Sequence, residues 1–68
     1  MKILGVSAVS VKADDGWVPI AQVAVEEGGL VDIHRIESSD ADLRLDTREE
    51  ANRFAIELAR EWTNQTRA

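Results

Sequence analysis

The chain has no cysteine and no tyrosine, and among its 68 residues it has one proline, one histidine, one phenylalanine and two tryptophans. Without cysteine, neither a disulfide nor a thiolate-ligated metal can hold so short a chain together, so packing or self-association must stabilise it. One histidine excludes histidine-rich zinc sites and leaves only oxygen ligation for a metal. No apolar run approaches the ~20 residues that cross a bilayer, and Met1 leads straight into a strand-like segment rather than a signal peptide. No contact with a membrane is expected, and the expected location is the cytoplasm. Basic residues are also few. Eight Lys and Arg against thirteen Asp and Glu give a net charge of −5, which disfavours sequence-independent attraction to nucleic acid.

What is present divides into two periods. Residues 2–13 are rich in Val and small residues and read as a strand, with apolar side chains on both parities and a bulge expected near Gly5 to Ala8. Asp15-Gly16 predicts a hairpin turn at positive φ, with Trp17 to Glu26 returning and Pro19 delaying regular pairing until Ile20. Glu27-Gly28-Gly29 predicts a second turn and Leu30 to Glu37 a third strand. After a polar stretch, Leu43-Arg44-Leu45 predicts a short fourth strand.

From Thr47 the period becomes helical. Thr47 and Glu50 fit a capping box, and Ala51, Phe54, Ala55, Leu58, Ala59 and Trp62 fall on one stripe of a helix expected to end near Trp62 or Thr63. Phe54, Leu58 and Trp62 are the expected anchors of the core. The fold class is therefore α+β: an antiparallel three- to four-stranded meander sheet, packed on one face by a single C-terminal helix. Residues 1–63 form one compact domain and 64–68, without an apolar anchor, a frayed tail.

Few residues point to chemistry. Asp32 and His34 are two apart, so on a strand they share a face and form a candidate carboxylate–imidazole pair. No serine stands in a nucleophile-elbow context to use it. Asp40, Asp42 and Asp46 lack the spacing, central glycine and closing glutamate of a calcium loop, and Gly28-Gly29 precedes a strand rather than a phosphate-binding helix. No catalytic residue, metal or cofactor is expected. Nucleic-acid binding is not expected either, because the β-region through Ile36 holds Lys2, Lys12 and Arg35 against five acids, with Trp17 its sole aromatic.

The remaining feature is an excess of apolar strand surface. One helix, ~10–12 Å across, covers at most one face of a sheet whose strands lie ~4.8 Å apart. Yet both parities of the second strand are apolar. A homodimer would bury the surplus, and Val18, Ile20, Val23, Val25 and Ile56 are the candidate interface residues. The expected function is a non-enzymatic, homodimeric protein-interaction module, a small acidic adaptor or antitoxin-like protein of bacterial type that takes a protein partner. The alternatives are a small-ligand protein or enzyme whose site forms at the dimer interface around Asp32 and His34, and, further off, a nucleic-acid-associated regulator.

Overall fold

A computed structural model describes residues 1–67. Its elements are β1 (Lys2–Ala8), β2 (Val11–Ala13), β3 (Gly16–Val18), β4 (Ile20–Glu27), β5 (Leu30–Glu37) and α1 (Arg48–Arg67). β1, β4 and β5 form an antiparallel sheet in the order β1-β4-β5, β2 and β3 form a small second sheet, and α1 packs on the larger one. The α+β meander with one C-terminal helix is thus the fold.

The first two predicted strands are one long hairpin divided in two. Ala8 pairs with Ala21 and Val11 with Val18 in an unchanged register, and between them the Val9 amide donates to the Ile20 carbonyl at 2.8 Å. Its turn is Asp14-Asp15, flanked by the pair Ala13 and Gly16, so Gly16 opens β3 instead of sitting inside the turn as expected. Gly16 is required there for two reasons. Its φ is +139°, and a Cβ would lie 2.8 Å from the Leu45 carbonyl oxygen. The bulge falls slightly earlier than expected, between Ile3 and Gly5.

The second hairpin sets the phase of every strand bond. Gly28 and Gly29, at φ +60° and +82°, make a two-residue turn closed by Glu27 and Leu30. A closing pair of this kind is hydrogen-bonded, and alternation makes Val25–Asp32, Val23–His34 and Ala21–Ile36 the next hydrogen-bonded pairs. The one after would involve Pro19, which has no donor, and β5 ends at Glu37.

Leu43-Arg44-Leu45 does not form the short strand expected of it. Leu45 makes a single antiparallel bridge to Trp17, with bonds of 2.8 and 2.9 Å between their backbones. Arg44 fixes this segment in place: its Nε donates to Asp15 Oδ1 at 2.8 Å, and its guanidinium also donates to the carbonyls of Ala41 and Leu43. These bonds hold residues 41–45 against the first turn, and the pairing there stops at one bridge.

The helix begins where the capping box places it. The Glu50 amide donates to Thr47 Oγ1 at 3.1 Å and the Ala51 amide to the Thr47 carbonyl. It runs to Arg67, past the expected end near Thr63, because nothing after Thr47 is a glycine or proline that would stop it. Ala68 lies outside the described residues.

The expected anchors are corrected. Ala51, Ala55 and Ala59 are the fully buried helix residues, and Ala55 and Ala59 pack with Ala21, Val23 and Val25 of β4. Leu58 and Trp62 are half-buried flanks and Phe54 is 37% exposed. Three methyl groups on successive turns let the helix backbone approach β4 closely, which pushes the larger side chains to the rim. The buried arc is turned toward Asn52 and Ile56, both half-buried, so Ile56 is a flank of the contact rather than a residue standing off it.

Candidate functional site

Paired residues of an antiparallel ladder point to the same side. Ala21, Val23 and Val25 face the helix, so Ile36, His34 and Asp32 of β5 do as well. The opposite side carries Gln22, Ala24 and Glu26 of β4 with Val31, Ile33, Arg35 and Glu37 of β5. Among the described residues no other layer covers that side. Val31 is 57% exposed and Ile33 60%, beside a half-buried Ala24. Leu30, on the helix side but at the far end of β5, is 71% exposed. These are the largest apolar exposures in the two long strands, and they converge on β5.

Five residues were expected at an interface, and the fold uses three of them internally. Val23 and Val25 are enclosed beneath the helix and Ile20 is also buried, while Val18 and Ile56 are half-buried. The physical reason is that the middle strand of the sheet meets neighbours on both sides and the helix above. Its apolar residues are consumed by the protomer. The most exposed apolar side chains of the sheet are instead Leu30, Val31 and Ile33. The sequence held the signal for this: a meander strand followed by a polar stretch and an isolated Leu-Arg-Leu is the last of its sheet, and so an edge.

Asp32 and His34 are brought to one face as expected, but they do not form a pocket. His34 is exposed, and its ring lies 5.0 Å from that of Trp62 at an interplanar angle of 36°. The helix contacts β4, β1 and β5, and Trp62 lies in its C-terminal half. Neither of two surface depressions includes Asp32 or His34. One, about 200 Å³, is lined by Val18, Pro19, Glu37, Ser38, Asp40, Ala41 and Leu43, and the other, about 240 Å³, by Leu45, Glu50, Arg53, Phe54 and Glu57. Both are smaller than the roughly 300 Å³ at which ligand pockets begin.

The acidic residues after β5 serve the backbone. The Asp42 amide donates to Asp40 Oδ1 at 3.0 Å and the Asp40 amide to Ser38 Oγ at 3.1 Å, the local bonds of a solvated turn. Among the described residues no group of three potential metal ligands comes together, and no helix is long and apolar enough to cross a membrane. Trp17, half-buried, carries the Lys12 ammonium 5.5 Å from its ring centre and closes the far end of the sheet through its bridge to Leu45.

Comparison with protein families, curated proteins and solved structures gives no match.

Proposed function

We propose that this chain is a non-enzymatic protein-interaction module that works as a homodimer. The observation that carries the reading is the uncovered apolar surface of β5, with Leu30, Val31 and Ile33 all more than half exposed. Two further quantities support it. The chain exposes 4825 Å², whereas a monomer of 7.5 kDa exposes about 4,200 Å². The buried core is small and built largely of alanine and valine, so a second copy would supply burial that the protomer lacks.

The position of His34 weighs against a catalytic role. A general base needs a concavity that holds substrate within hydrogen-bond reach, and the His34 ring lies on an exposed strand against Trp62. The net charge of −5 favours a basic protein as the further partner of the module. Sedimentation equilibrium tests the reading directly. A species of twice 7.5 kDa at tens of micromolar supports it, and a single 7.5 kDa species persisting to millimolar protein overturns it.

A further inference from the structure

We infer that the dimer forms by antiparallel pairing of β5 with β5 of a second copy, with Ile33 on the twofold axis and Asp32 of each copy opposite His34 of the other. This rests on the homodimeric reading above and adds the edge, the register and the side chains that select them.

The edge follows from comparing the two free sides of the sheet. β1 and β5 are both outer strands. β1 carries Lys2 and is broken by the bulge between Ile3 and Gly5, two devices that blunt an edge against pairing. Beyond the bulge, the outward amide of Ser10 is engaged by Asn52 Oδ1 of the helix at 3.4 Å. β5 has none of these. It runs eight residues in unbroken register with β4, contains no proline or lysine, and carries the most exposed apolar side chains of the sheet. Because Asp32, His34 and Ile36 spend their backbone bonds on β4, Val31, Ile33, Arg35 and Glu37 direct their N–H and C=O groups off the sheet. The row is regular and, among the described residues, unpaired.

A second copy is singled out by self-complementarity. A twofold axis normal to the sheet pairs residues of like parity, which leaves few registers. With Ile33 opposite Ile33, Leu30 meets Ile36, Val31 meets the aliphatic stem of Arg35, and Asp32 meets His34, whose ring N–H donates to a carboxylate whether or not the imidazole is charged. Moving the axis to His34 sets two histidines together and Asp32 against Ile36. Moving it to Asp32 opposes two carboxylates, and moving it to Arg35 opposes two guanidinium groups. Only the Ile33 register pairs apolar with apolar at Ile33–Ile33 and Leu30–Ile36 and acid with imidazole at Asp32–His34. It joins the two protomers into one six-stranded sheet with both helices on the same side.

Amide hydrogen exchange on the unaltered protein reads the edge. In dilute protein the amides of Asp32, His34 and Ile36 are protected and those of Val31, Ile33 and Arg35 exchange freely. As concentration rises through the dissociation constant, the second set becomes protected as well. Two sets of variants read the same contact independently. Ile33→Pro removes an outward N–H that the protomer does not use, so it should leave the circular dichroism unchanged and the protein monomeric. His34→Glu opposes two carboxylates at each of two symmetric positions and should weaken the dimer about tenfold or more, and adding Asp32→Lys in the same chain should restore it.

A dimer in which Ile33 and Arg35 amides still exchange freely overturns the edge inference while leaving the homodimeric reading intact. A dimer with these amides protected but no rescue by Asp32→Lys overturns the register. A protein monomeric at millimolar concentration defeats both.

Discussion

β4 and β5 are eight residues each, both rich in Val and Ile, joined by two glycines and paired along their whole length. In β4, Ile20, Ala21, Val23 and Val25 are buried, whereas in β5 nothing is buried and only Ile36 is half-buried. Composition makes part of this difference, since Asp32 and His34 stand on the helix side opposite Val25 and Val23, and position makes the rest. β4 lies between two strands and beneath Ala55 and Ala59 of the helix, and β5 has one neighbouring strand and reaches the helix through His34 and Ile36. Burial follows position in the sheet as well. Two strands of similar hydrophobicity therefore carry different tasks, one holding the protomer together and the other presenting apolar surface to the outside.

The contrast is broken most severely by placing the same charge on each strand. Val23→Asp buries a carboxylate with no partner beneath the helix and should cost more than about 4 kcal/mol, enough to abolish a cooperative unfolding transition. Ile33→Asp should cost about 1 kcal/mol or less when measured in protein dilute enough to be monomeric. Equal losses in urea titrations of the two variants would mean that β5 is as much a part of the core as β4.

A smaller effect tests the reason β4 is favoured. Ala55→Leu adds bulk where the helix lies closest to the sheet and should destabilise by about 1–3 kcal/mol through overpacking. Unchanged stability would show that the alanine line is not a close contact. Gly29→Ala acts on the link between the strands: its φ of +82° penalises a side chain although nothing lies within 4 Å of the added Cβ. A loss of about 1 kcal/mol is expected, with β5 amides exchanging faster than those of β1. Thr47→Ala serves as a reference that touches neither strand. Removing the exposed cap acceptor should cost roughly 0.5–1 kcal/mol, and retained stability would mean that the bond to the Glu50 amide contributes nothing.

Much of the architecture was legible because it is written in local chemistry. The bounds of β5, the Gly28-Gly29 turn, the resumption of pairing at Ile20 after Pro19 and the helix cap at Thr47 each depend on residues within a few positions of one another. The misreadings concern what meets what. Leu43-Arg44-Leu45 alternates like a strand, yet Arg44 turns back to Asp15 and leaves one bridge. Phe54 sits on the apolar stripe and ends up at its rim. Val23 and Val25 lie on a strand apolar on both parities, and parity does not say which side the helix takes. The pairing of Asp32 with His34 on one face was visible in the spacing, but the absence of a concavity around them was not, since that depends on where the end of α1 crosses the sheet.

By itself, the sequence determined the element types, the turns, the cap and the fact that one helix could not cover all the apolar strand surface. These follow from dihedral preferences, donor counts and periodicity, which act over a turn of helix or a pair of strands. Only the tertiary structure decided that the alanines and not Phe54 touch the sheet, that β4 is spent inside the protomer, and that β5 is left with an unpaired edge. Close approach and strand order are properties of several segments at once, and the free energy that selects them is the burial gained when all of them meet.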